Sequence, residues 1–199
     1  MYVLTDVPKD ILDILDTCIN EKGLKPINDE LAGNLKHEYS IPKGKAAVSP
    51  FLMRLIIEHQ KKYPDFFKQA HSTLNYKHCE IELFNLWVNF QKKYEFNPIH
   101  KHNGLYSFVI WYKVPFLMED EYKQFPKTKK NHIKAGQFSF IHTDNMGGIE
   151  HTDLPVDKEW EGKIALFPSN FHHQVYPFFT SDDYRISISG NLAFDTTPK

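Results

Sequence analysis

From about residue 79 to residue 194 the chain keeps one texture. Short runs rich in β-branched and aromatic residues are cut again and again by proline and glycine. "CEIELFNLWVNFQKK" opens the region, and its alternation of apolar and polar residues is the period of a strand. Strands are expected at about 79–91, 98–102, 105–114, 136–142, 148–154, 163–167, 171–178 and 184–194. Many short strands behind a helical prelude point to a β-sandwich or jelly roll with helices packed outside, a mainly β, α+β architecture.

The prelude reads as helices. "TDVPKDILDILDTCINEKG" has Thr5 or Asp6 as a cap, Pro8 in the first turn, Gly23 as a stop, and a stripe of Ile11, Leu12, Ile14, Leu15, Cys18 and Ile19. "NDELAGNLKHEYSIP" reads as a short helix or turn ended by Pro42. "SPFLMRLIIEHQKKYPDFFKQA" reads as a second long helix, capped by Ser49 with Pro50 in its first position. Leu52, Leu55, Ile56 and His59 share one of its faces, and Pro64 should kink or split it. The expected organisation is a helical segment, 1–77, packed on a β core, 78–199, as one structural unit. The polar stretch 116–136 holds five lysines and reads as a long loop, either a lid or a solvated insertion.

Composition bounds the partners. The chain has 199 residues, enough for one domain with a sizeable core, and 41% of them are hydrophobic. A formal charge of −1 leaves no global basic field to recruit nucleic acid or a membrane. Two cysteines, Cys18 and Cys79, form no disulfide pattern and fit a reducing compartment as small buried hydrophobes. The N-terminus lacks the pattern of a signal peptide, and no apolar run is long enough to span a bilayer, so a soluble cytoplasmic protein is expected.

Eleven histidines are the compositional hint of chemistry. His100 and His102 lie two apart before a hydrophobic strand, so on extended backbone they face one way. In "NFHHQVYPF" the alternation of Phe171, His173 and Val175 places His173 inward and His172 outward. A buried imidazole needs a partner, and metal ligation is one. Twelve residues after His173 comes Arg185, which shares a strand face with Ser187 and Ser189. An arginine on a core strand is costly unless an anion neutralises it, and its fork suits a carboxylate.

The order His-x-His, a gap of about 70 residues, His, then Arg-x-Ser resembles the 2-oxoglutarate- and Fe(II)-dependent oxygenases. "LFPSNFHHQVYPF" and "YRISISGNL" are most similar to the prolyl-4-hydroxylase-like subgroup, including members encoded by tailed phages. The resemblance covers roughly residues 83–194, and "LAGNLKHEYSIP" also looks like the prelude of the phage members. It implies a double-stranded β-helix, the cupin-like jelly roll. It also implies Fe(II) on His100, His102 and His173, and 2-oxoglutarate held by Arg185 and Ser187. His102 stands where the usual pattern has a carboxylate, which makes a three-histidine face in place of the two-histidine, one-carboxylate triad. The subgroup also shows His-x-His at this point.

The implied activity is an oxygenase reaction, by default hydroxylation of a prolyl residue in a peptide or protein, with release of succinate and CO2. If the chain is phage-encoded, the host cytoplasm is its expected place. Asp144 and Asp153, in two literal His-x-Asp triplets beginning at His142 and His151, are the alternative source of a carboxylate ligand; otherwise they are hairpin ends in solvent. Trp87 and Asn89 share a face and are candidates to line the pocket, whereas Trp111 and Tyr112 stay undecided between them. His59, His71, His78 and His132 read as surface histidines. Two rival readings are a three-histidine cupin-type dioxygenase without 2-oxoglutarate and a non-catalytic β-helix binding module.

Overall fold

A computed structural model describes residues 2–66 and 80–195. Eleven strands are described: β1 Val3–Asp6, β2 Lys25–Pro26, β3 His37–Ser40, β4 Ile81–Gln91, β5 Asn97–His100, β6 Tyr106–Lys113, β7 Phe138–Thr143, β8 Ile149–Leu154, β9 Lys163–Pro168, β10 His173–Val175 and β11 Arg185–Phe194. Three α-helices have both ends among the described residues: α1 Lys9–Ile19, α2 Lys45–Lys62 and α3 Met118–Lys123. All eight strands expected after residue 78 are present.

The strands form two antiparallel sheets. The larger runs β1-β9-β6-β11-β4-β3-β2 and the smaller β5-β10-β7-β8. From β4 onward the chain crosses between them: β4, β6, β9 and β11 lie in the large sheet, and β5, β7, β8 and β10 in the small one. This winding is the double-stranded β-helix, and helices cover the outside of the large sheet.

Strand parity divides the core in two. One cluster joins Leu86, Val88, Phe108, Ile110, Ile164, Leu166 and Ile188 of the large sheet to Leu15 of α1 and Leu52 and Leu55 of α2. The other lies between the sheets and joins Val109, Trp111, Ala165 and Phe167 to Phe138 and Phe140. Consecutive residues of β6 therefore serve opposite cores, as a period of two requires. Leu52 is fully buried. Leu52→Ala should cost about 2–5 kcal/mol, read as a lower denaturant midpoint with an unchanged slope.

The first 66 residues add strands as well as helices. The expected cap residues Thr5 and Asp6 belong to β1, which pairs with β9, so α1 starts at Lys9 after Pro8. "HEYS" is not a helix or turn but strand β3, paired with β4. In both places an open strand edge outcompetes the local helical signal, because pairing satisfies a whole row of backbone groups. Helix α2 begins at Lys45, not at Ser49, so Pro50 lies inside it. The Ser49 hydroxyl donates to the Lys45 carbonyl at 2.7 Å. Starting one turn early buries Val48 completely, which offsets the hydrogen bond that proline cannot make.

His59 corrects a further expectation. It is fully buried, Nδ1 lies 3.1 Å from the Tyr106 hydroxyl, and Tyr63 and Phe66 flank the ring. Its place on the apolar face of α2 is the reason. Cys18 is buried as expected and His132 is exposed, while His71, His78 and Cys79 lie outside the described residues. The lysine-rich stretch is not plain loop: it carries α3 and a 3-10 turn at Lys130–His132. Buried Glu121 of α3 anchors it, accepting from the backbone N–H groups of Phe179 and Thr180 at 2.9 Å each. No described helix is long and apolar enough to cross a membrane.

Candidate metal and cosubstrate site

The small sheet delivers the histidines. β5 and β10 pair antiparallel with His100 directly opposite His173. His102 follows β5 and is tied by its backbone N–H to the Ser169 carbonyl at 2.8 Å. One ligating nitrogen from each of His100, His102 and His173 lies within 4.8 Å of the others, and these three are the one His, Cys, Asp or Glu cluster of this kind among the described residues. His172 is exposed on the opposite face, as parity expects.

Two rings are oriented by backbone carbonyls. His100 Nδ1 lies 2.7 Å from the Pro98 carbonyl and His173 Nδ1 lies 2.9 Å from that of Phe171. Such a bond places the proton on Nδ1 and leaves Nε2 with its lone pair facing the cluster. Burial favours the neutral form of all three. It pushes His102 down to about 4, helped by repulsion from His100, and holds His173 well below the ordinary imidazole value. Three neutral imidazoles on one face are the donor set that a divalent transition metal takes.

The large sheet delivers the other wall. Cα pairs across a ladder share a face, and the pairs Gln91–Arg185, Asn89–Ser187 and Trp87–Ser189 put six polar or aromatic side chains on the inner face of β4 and β11. Trp111 pairs with Ser187 on the same face. All of these line one pocket together with the three histidines. Trp111 is thus the inward residue of the undecided pair, and Tyr112 turns outward to hydrogen-bond Asp16 of α1.

Arg185 is 3% exposed and held by neutral oxygens. Nε and Nη2 donate to Gln91 Oε1 at 3.1 and 2.7 Å, Nη1 to the Gly136 carbonyl at 2.6 Å, and Nη2 to the Tyr176 carbonyl at 2.9 Å. The guanidinium also lies over the rings of Phe116 and Phe178. Burial lowers its pKa, and the buried Glu121 carboxylate opposes that shift. Four of its five N–H groups are thus used, and one on Nη1 remains for a ligand.

The two aspartates fall elsewhere. Asp144 closes the β7–β8 hairpin, accepting from the backbone N–H groups of Met146 and Gly148 at 2.8 and 2.7 Å. Asp153 pairs with Lys134 and accepts from the Ser139 hydroxyl. Neither belongs to the histidine cluster.

Residues 85–191, more than half of the chain, match the family model described as "Putative 2OG-Fe(II) oxygenase". The chain belongs to this family. The oxygenase has no match among curated proteins. Three solved structures are similar to it. A prolyl-4-hydroxylase from Pseudomonas putida is 15% identical, with 96% of this chain and 91% of that one covered, at a TM-score of 0.51. A Burkholderia pseudomallei oxidoreductase of the 2OG-Fe(II) oxygenase family is 12% identical over 96% and 85%, at 0.54. The non-heme α-ketoglutarate-dependent carbocyclase SnoK of nogalamycin biosynthesis is 12% identical over 98% and 79%, at 0.53. At such identities the likeness is one of fold.

Fe(II) and 2-oxoglutarate are the cofactors of the family, and the residues present fit both. The fit for the metal lies in three convergent neutral nitrogens with two rings pre-oriented. For the dicarboxylate it lies in a buried guanidinium and hydroxyl on the wall of the same pocket. Sequence reasoning missed Gln91 and Glu121. Gln91 was legible, since it continues the Trp87–Asn89 face by the same period of two. Glu121 comes from α3 across the fold, and nothing local signals it.

Proposed function

We propose that this oxygenase binds Fe(II) through His100, His102 and His173, and 2-oxoglutarate through Arg185 and Ser187, and that it hydroxylates a prolyl residue of a peptide or protein. The convergence of three neutral imidazoles on the pocket that also contains Arg185 carries the reading. Bound together, the metal and cosubstrate would supply dioxygen activation and the two electrons released by oxidative decarboxylation. The overall change balances as R–H + O2 + 2-oxoglutarate → R–OH + succinate + CO2.

The chain's own residues do the positioning. The Pro98 and Phe171 carbonyls hold the His100 and His173 rings with Nε2 toward the cluster. Arg185 draws the far carboxylate to the Nη1 side of its guanidinium, and Ser187 adds a hydroxyl that Asn89 Nδ2 already orients at 3.1 Å. Phe138, Phe167 and Trp111 keep water from the reacting face.

With Fe(II), 2-oxoglutarate and oxygen, a proline-containing peptide should gain one oxygen atom as one succinate forms, read by mass spectrometry and proton NMR. Succinate without peptide oxidation would refute the prolyl substrate and leave the oxygenase reading standing. Oxygen uptake that ignores 2-oxoglutarate would favour a three-histidine dioxygenase, to which a face without a carboxylate is also suited.

A further inference from the structure

The segment "LAGNLKHEYSIP" wraps one end of the pocket, and none of its residues has a part in the chemistry above. Leu31, Ala32, Leu35 and Glu38 all line the pocket. Glu38 is 1% exposed, and neither carboxylate oxygen has a hydrogen-bond partner. It lies directly opposite Asn89 in the β3–β4 ladder, on the inner face. Asn89 spends Nδ2 on Ser187 Oγ, so its Oδ1 is turned the other way, and that oxygen is also buried without a partner. A fourth such atom is Asn97 Oδ1, on β5.

Two of these oxygens converge, and Asn89 stands opposite Glu38 in the ladder. The Cβ position at Gly33 would lie 3.0 Å from Glu38 Oε1 and 3.1 Å from Asn97 Oδ1, so both reach the same small space. With Glu38 ionised, four buried acceptors with no donor among them are costly to keep, since each unsatisfied polar atom forfeits its solvation. Nothing within the described chain relieves that cost. A ligand that does so must supply donors, and a positive charge would match the carboxylate. Ammonium and guanidinium groups are donor-only cations of this kind. The apolar side chains of Leu31, Ala32 and Leu35 suit the aliphatic stem of such a group.

We propose that Glu38, Asn89 and Asn97 form a subsite for the cationic nitrogen of an alkylamine or guanidine group on the substrate, held in the same pocket as the three histidines. The identity of the bound molecule as substrate rests on the oxygenase reading; the cation site itself does not. The charge fits: burial, reinforced by Glu95, raises the Glu38 carboxyl to about 7, so a cation brought against it stabilises the ionised form. In a peptide substrate the subsite would take a lysine or arginine side chain, or a free N-terminus, near the carbon that is oxidised.

The test is anaerobic calorimetric titration of protein loaded with Mn(II) and 2-oxoglutarate, with n-butylammonium as probe and n-butanol as its neutral match. Butylammonium should bind at least roughly tenfold more tightly than butanol. Glu38→Gln, which keeps the shape, should erase that preference, and Asn97→Ala and Gly33→Ala should each weaken it. The affinity of Glu38→Gln for 2-oxoglutarate should stay that of the parent. Equal affinities for the two probes in the parent protein, or an intact preference in Glu38→Gln, would overturn the subsite. So would a joint loss of amine and 2-oxoglutarate binding in Glu38→Gln, which would mean that Glu38 serves the cosubstrate. If the parent protein binds butylammonium selectively but takes up neither Mn(II) nor 2-oxoglutarate, the cation site stands and the oxygenase reading falls.

Discussion

Arg185→Ala should weaken 2-oxoglutarate binding by about 2–5 kcal/mol, a few tens to a few thousand-fold, while metal uptake persists. The guanidinium is buried and keeps one N–H on Nη1 beyond the four that meet Gln91, Gly136 and Tyr176. A carboxylate arriving there meets a desolvated cation, where the interaction is strongest. Sequence alone suggests that Arg185 waits for an anion. The folded chain instead supplies neutral carbonyls and the nearby Glu121 carboxylate, so the residue also ties β4 to the turn before β7 and the segment after β10. Arg185→Ala should therefore lower stability too. Arg185→Lys keeps the charge and loses the planar fork, and it separates the two roles. The measurement is anaerobic titration of the Fe(II) protein with 2-oxoglutarate, following the metal-to-ligand absorption band. Unchanged affinity in Arg185→Ala would end the cosubstrate role.

His173→Ala should abolish stoichiometric iron binding, and His172→Ala should leave it intact. His173 is the most buried of the three histidines, sits opposite His100 in the β5–β10 ladder, and has its ring set by the Phe171 carbonyl. Loss of an outer partner of a ligand costs roughly 10–100-fold in metal affinity, and loss of the ligand itself should cost more. His172 is an internal control, since it neighbours His173 in sequence and faces solvent. Metal analysis after gel filtration would decide, and equal loss in the two variants would sink the three-histidine assignment. A metal-loaded structure with an Asp144 or Asp153 oxygen as ligand would do the same.

The sequence by itself determined the strands of the β core and which way their side chains face. A period of two and frequent proline and glycine are local properties, so all eight strands after residue 78, the inward turn of His173 and the shared face of Arg185 and Ser187 could be read from the order of residues. Local signals misled where a distant partner was decisive. Thr5 and Asp6 look like a helix cap until β9 captures them, and "HEYS" looks like a turn until β4 pairs with it. His59 shows the limit of reading residue type without place, because its helix face already pointed to burial. Only the tertiary structure could choose Trp111 over Tyr112, since the choice depends on where the turn at Gly104 leaves the register of β6 against β11. Only it could bring Glu121 to Arg185, and Glu38 of the wrapping segment to Asn97 of β5, because these pairs sit on elements far apart in sequence. Strand parity sets the face of a side chain within its own sheet, whereas what it meets across the pocket depends on how two sheets and a wrapping segment pack, and that is settled by the free energy of the whole fold.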